Sequence, residues 1–345
     1  MTMYCLLVLA GGFLDPLPDI FHTIGGRMTA LTDDFLFVLD HRESIVYQYN
    51  TAGKLVKTFG GKGQGPGRFS RPFMLTWING VLTVRDFKAA HSYNGRGEFL
   101  SMIKTPPNLI PFRVVGGWVA LRGFPTDSEI ELVFYDEKFS HATPTLSWDV
   151  PARPIMSDTV VVDYDELVVS PDGEWVYVKP RDSSTLWRVN ARSREIKVIE
   201  LNLSPIAFDP EHADRLNKSW KKMGLPQRKA PKVYPPILSV NVTFRGNLAI
   251  TRWLHSPNGR LPQPPEQWRK KTLLMLDRDG EPIIPEPTEL YSSLIVSIDK
   301  DWVYHVHFDP ESETASIIRV THARAKESLA LAYDNQICFS CQEDH

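Results

Sequence analysis

Cysteine is scarce: 345 residues hold three, Cys5, Cys338 and Cys341, all at the two ends of the chain. No disulfide framework can hold the long stretch between them, so packing must do so. Cys338 and Cys341 have the spacing of a zinc or redox pair and His345 follows, but no second ligand pair accompanies them, and no metal is expected there. An excess of charge is missing too. Lys and Arg number 39 against 41 Asp and Glu, a formal net charge of −2. Such balance gives no global field toward nucleic acid or anionic membrane, and no nucleic-acid partner is expected. No apolar run reaches the roughly 20 residues of a membrane span, so no transmembrane segment is expected. Met1 to Ala10 is apolar and runs into Gly11-Gly12. It is short and no Lys or Arg precedes it, so residues 1–16 read either as a signal peptide or as an N-terminal extension. The first reading places the protein in the periplasm or outside the cell, the second in the cytoplasm. The catalytic motifs GxSxG and HExxH are also lacking. The run GKGQGPG at Gly61 to Gly67 has no GK[ST] ending and opens no helix, so it reads as a connecting loop rather than a phosphate cradle. Asp163, Asp165 and Glu166 read as solvated acids, since alternate strand positions alone make no calcium cage. No cofactor is expected.

What the sequence does have is repetition. Its 27 prolines and 21 glycines are spread between short apolar runs, as in a chain of many strands and turns. A β-forming residue, then Asn or Asp, then a tight turn recurs as Tyr49-Asn50, Tyr93-Asn94, Tyr135-Asp136, Val189-Asn190 and Leu276-Asp277, with Val320-Thr321 as a weaker sixth. Asn and Asp suit these places because their side chains bond nearby backbone amides, and glycine in the turn supplies positive φ. Successive anchors lie 44, 42, 54, 87 and 44 residues apart. The long interval contains two stretches that fit no repeat, 205–236 and 254–268, and shortens to 40 without them. Six units of one period result, each preceded by an aromatic or β-branched run such as Phe35 to Leu39 or Trp175 to Val178. A period of 40 to 45 holding four short strands predicts a propeller blade. Phe21 to Gly26 copies the end of the first full unit, Val56 to Gly61, so residues 18 to 24 are expected to supply the outer strand of the last blade.

The stretch YQYNTAGKLVKTFGGKGQGPGRFSRPF and the later PKVYPPILSVNVTFRGNLAI resemble the NHL-like repeat of bacterial six-bladed β-propellers, over about residues 17 to 321. The resemblance implies an all-β fold: one six-bladed propeller of four-stranded blades, closed by the N-terminal strand. The expected propeller body is 17–323, with a short inserted helix in 205–236, a Pro-rich loop at 254–268 and a C-terminal tail at 324–345. Asp209, Pro210 and Gly224 are good helix boundary signals, and Ala213, Leu216, Trp220 and Met223 form an apolar stripe that would dock the helix on the rim.

Strand alternation puts every irregular connection on one face, and loops on a rigid scaffold are where binding concentrates. The second strands end on that face with Arg85, Arg122, Lys179, Arg252, His255 and His307, while Trp253 flanks the Pro-rich loop. These seven are the ligand-binding candidates, the cations forming a ring at the channel mouth where Arg would pair with carboxylate or phosphate. The reading that follows is a non-enzymatic binding or scaffold propeller, a monomer, presenting its loop-rich face to a protein, peptide, glycan or small anionic ligand. The alternative is an enzyme, because similar propellers include lactonases and lyases with a divalent metal at the channel mouth. The Arg- and His-rich mouth disfavours a hard cation. No catalytic residue is assigned.

Overall fold

A computed structural model describes residues 4–9, 12–13, 17–18, 28–50, 54–106, 109–123, 129–149, 165–181, 183–203, 214, 217–218, 221, 236–237, 239–243, 246–253, 271–283, 288–290, 295–298, 302–309 and 314–321, with side chains between 28 and 252 and from 274 to 283. The chain opens with β1 (Tyr4–Leu9), β2 (Gly12–Phe13) and β3 (Leu17–Pro18). Blade one is β4 (Thr29–Leu31), β5 (Phe35–Asp40), β6 (Ile45–Asn50) and β7 (Leu55–Gly60). Blade two is β8 (Pro72–Ile78), β9 (Val81–Asp86), β10 (Ala89–Tyr93) and β11 (Phe99–Lys104). Blade three is β12 (Phe112–Val114), β13 (Gly117–Arg122), β14 (Glu129–Tyr135) and β15 (Ala142–Asp149). Blade four is β16 (Glu166–Val169), β17 (Trp175–Lys179), β18 (Thr185–Asn190) and β19 (Ile196–Glu200). Blade five is β20 (Ser239–Val242), β21 (Leu248–Trp253), β22 (Lys271–Leu276) and β23 (Thr288–Leu290). All five are antiparallel meanders of four strands.

The remaining strands, β24 (Ile295–Ile298), β25 (Trp302–Asp309) and β26 (Thr314–Thr321), join β1 to β3 in a six-stranded sheet. First strands adjoin one another in chain order from β4 to β20, and β24 lies beside β4. The fold is therefore an all-β propeller arrangement with first strands innermost. Five blades take the expected four-stranded antiparallel form, not six, because the outer edge of β26 is taken by β1 running parallel to it, Cys5 opposite Ala315 and Val8 opposite Ile318. The segment expected to close the last blade, 18 to 24, lies outside the described residues except for Pro18, which pairs with Tyr4. In the 205–236 insertion Asp214, Asn217, Lys218 and Lys221 are helical and share one polar side of a helix. The apolar stripe lies outside the described residues, as does the 254–268 loop.

The anchors act as their chemistry demands. Asn50, Asn94, Asp136, Asn190 and Asp277 each accept backbone N–H bonds into the following turn: Asn94 Oδ1 from Arg96 and Glu98, Asp277 Oδ1 from Asp279 and Glu281. The turns then lock onto the preceding blade. Gln48 and Lys57 are cross-strand partners on blade one; Gln48 Nε2 donates to Gly95 O at 3.1 Å and Lys57 Nζ to Gly97 O at 3.0 Å. Arg188 and Lys197 hold the same places on blade four. Arg188 Nη1 donates to Arg278 O at 2.7 Å, and both reach Asp279 Oδ1, at 2.8 and 3.3 Å. Between them, Arg194 in the turn of blade four sits 3.6 Å over the Phe134 ring of blade three. The third-to-fourth-strand hairpins of blades two, four and five thus each reach back one blade.

Between blades the second strands bury their apolar side chains. Phe37, Leu39 and Val46 meet Leu75, Leu82, Val84 and Tyr93 between blades one and two. Similar clusters form between blades three and four around Val119, Phe134, Val176 and Val178, and between four and five around Tyr177, Leu186, Leu248 and Ile250. Each such side chain contributes roughly 1.5–3 kcal/mol. The far side of blade two differs. Thr76, Thr83, Ser92 and Ser101 are successive cross-strand partners, one hydroxyl row across all four strands. They alternate with residues packed on blade one, so the row turns toward blade three.

Candidate functional site

Second strands lie one place out from the axis, flanked by blades on both sides. Their alternate side chains therefore face the seams between blades. Arg122 is half-exposed and ion-paired with Glu131 of its own blade at 2.6 Å. Lys179 is buried, its residue directly opposite Glu166 on the neighbouring strand. Arg252 donates from Nε to Pro236 O at 3.0 Å, and burial lowers its pKa. His307 lies in β25 opposite Ser316 and Trp253 ends β21 opposite Lys271, with only their backbone described. His255 lies outside the described residues. Nor are the acids all solvated. Asp165 and Arg181 form an ion pair at 2.6 Å with each side chain 6 % exposed, and Asp165 Oδ1 also accepts from Trp148 Nε1 of blade three at 3.1 Å. Glu166 Oε2 accepts from Val240 N of blade five at 2.9 Å. These carboxylates tie three blades together. Asp163 lies outside the described residues.

Arg85 stands apart. It is 1 % exposed, and its Nη2 donates to Leu109 O, in the connection to blade three, at 3.3 Å. Its Nε and Nη1 have no hydrogen-bond partner among the described residues. The neighbouring carboxylate does not serve it. Asp86 is held by the hydroxyl of Ser70 at 2.8 Å and by the amides of Ser70 and Arg71. Burial would raise the Asp86 pKa, but these bonds and one from the Lys88 amide leave it below the usual carboxylate range. Burial pulls the Arg85 pKa down to about 10, with Asp86 opposing, so the guanidinium stays charged at neutral pH. Among the described residues no carboxylate hydrogen-bonds Arg85, and enclosing a cation so incompletely paired costs several kcal/mol.

Two aromatic rings stand at its side. The register of β8 on β9 shifts between Pro72 and Met74, which leaves Phe73 as the extra residue of a bulge. Bulges re-aim side chains, and Phe73 lies 5.2 Å from Phe87, which is 62 % exposed on the loop face. The Arg85 guanidinium is 5.9 Å from the Phe73 ring and that of Arg71 is 5.8 Å from Phe87. Sequence reasoning passed over Arg71, Phe73 and Phe87. Their signal was the doubled Arg-x-Phe of RPF and RDF on strands that pair.

On the opposite, hairpin face a cavity of about 650 Å³ opens between blades one and two, bounded by the Leu31 to Phe35 turn, Trp77 and the Asn94 to Glu98 turn. Sequence reasoning had no reason to look there, since the irregular loops are on the other face. Among the described residues, no group of three His, Cys, Asp or Glu side chains could hold a metal ion. No helix among them is long and apolar enough to cross a membrane.

Neither a protein-family model nor a curated protein matches the sequence. Solved structures are similar in the course of the chain. A member of the DUF4221 family from Bacteroides vulgatus is 10 % identical over 93 % of this chain and 97 % of its own, with a TM-score of 0.49. A functionally unknown protein from Desulfotomaculum acetoxidans is 11 % identical over 88 % of each chain, TM-score 0.43. The calcium-binding protein regucalcin from Agrobacterium tumefaciens is 12 % identical over 84 % of this chain and 85 % of its own, TM-score 0.40. These likenesses concern the fold and assign no ligand or reaction.

Proposed function

We propose that the protein is a non-enzymatic binding propeller whose loop-rich face takes a small anionic ligand at Arg85. The observation that carries this reading is a buried guanidinium with two nitrogens unpartnered among the described residues and its neighbouring carboxylate already occupied. An anion there would neutralise the charge and accept charge-assisted hydrogen bonds of about 1.5–3 kcal/mol each. In the same reading the ring has six blades of the NHL-like kind, β24 to β26 with β1 forming the sixth, which adds residues 4–9 to a body otherwise within 17–323. It acts as a monomer in the periplasm or outside the cell.

The test is titration of the purified protein and of Arg85→Met with acetate, sulfate and phosphate, followed by calorimetry and by thermal melting. Wild type is expected to bind at least one of the three, and the variant to bind it at least tenfold more weakly. The variant should melt no lower than wild type, and should gain about 1–3 kcal/mol, because an unpaired buried charge has been replaced by an apolar side chain. Absence of anion binding to wild type, or equal binding by both proteins, would refute the assignment.

A further inference from the structure

Resting on that reading, we infer that the ligand is a small aromatic carboxylic acid, its carboxylate on Arg85 and its ring against the Phe73–Phe87 pair. The first argument is charge balance. One buried guanidinium neutralises one negative charge, which a carboxylate carries and a phosphate dianion exceeds. Arg71 and Lys88, the nearest other cations in sequence, are exposed and already in water.

The second argument is shape. The bulge in β8 sets Phe73 beside the guanidinium, and Phe73 and Phe87 meet tilted at 55°. Phe87 turns most of its surface outward where the second-to-third-strand turn needs no large apolar residue. An exposed ring packed on the ring that flanks a buried cation offers apolar area for a ligand body whose acid group is fixed on that cation. Aromatic pairs contribute about 0.5–1.5 kcal/mol beyond the area they bury, so a ring on the ligand gains by joining this one. The exposed guanidinium of Arg71 beside Phe87 gives the ligand ring a further cationic neighbour.

The experiment compares acetate, phosphate, benzoate and 3-phenylpropionate on wild type, Arg85→Met and Phe87→Ala, with dissociation constants from calorimetry and melting temperatures as the fold control. Wild type is expected to bind benzoate or 3-phenylpropionate at least tenfold tighter than acetate. Phe87→Ala should remove that preference without altering acetate binding or the melting temperature, because Phe87 is exposed. Arg85→Met should weaken all four. If acetate or phosphate binds as tightly as the aromatic acids, or if the preference survives Phe87→Ala, the aromatic assignment is overturned while the anion site stands. If none of the four binds, both readings fall.

Discussion

His91 is 2 % exposed, its ring edge-on to Phe69 at 5.0 Å, with Nδ1 unpartnered among the described residues. Burial lowers its pKa from the ordinary 6.5; Asp86 pulls it back and Arg85 pushes it further down. A histidine with a depressed folded pKa takes its proton more readily when unfolded. Its contribution to stability is therefore complete above the unfolded value and lost as the pH falls below it toward the folded one. Urea unfolding at about pH 7.5 and about pH 5 should show wild type weakening over that interval, and His91→Gln should weaken less. Equal slopes in the two proteins would show that another group titrates. Single residues were also where the sequence was hardest to read. Strand alternation correctly sent Arg85, Lys179 and Arg252 to one end of their strands. It could not show that Glu131 pairs with Arg122 while Asp86 is used by Ser70, since both acids lie in ordinary polar patterns and only folding decides their partners.

At the scale of the element, the hairpin clasp makes glycine necessary for two reasons that can be separated. Gly97 has φ +68°, and a Cβ there would stand 2.8 Å from Phe59 and 3.0 Å from Gln48. Gly80, in another hairpin, has a similar φ of +72° with nothing within 4 Å. Alanine at either place meets left-handed strain of about 1–2 kcal/mol. Only Gly97→Ala must also push the hairpin off the preceding blade, adding about 1–3 kcal/mol. Chemical denaturation should therefore rank Gly97→Ala clearly below Gly80→Ala, and equal losses would mean that the clasp is loose. This level of the fold was the most legible. The anchor Asn or Asp followed by a turn has a local cause, a side chain bonding amides two to four residues on, and local causes leave a periodic trace. The clasp itself was not legible, because Gln48 and Arg188 perform one task with different chemistry and share no pattern.

At the scale of the molecule, Asp165 joins blades three and four through Trp148 and Arg181, and Glu166 joins four to five. Asp165→Ala would strand the buried Arg181 and is expected to cost about 3–5 kcal/mol, measured by denaturant midpoint; a loss below about 1 kcal/mol would mean that water already serves that arginine. The propeller was readable from spacing alone. The parallel seating of β1 on β26 was not, because Phe21 to Gly26 copies a blade ending and drew the expected closing strand to 18–24, of which only Pro18 is described. The hydroxyl row of blade two has a consequence for how the ring can come apart. Three seams are sealed by hydrocarbon, and separating those blades wets Phe, Val and Leu. Where Thr76, Thr83, Ser92 and Ser101 face blade three, separation wets groups that already suit water. Of the four seams whose side chains are described, the boundary beside Arg85 is thus the one along which solvent enters with least penalty, and amides there should exchange with deuterium before those of the other three.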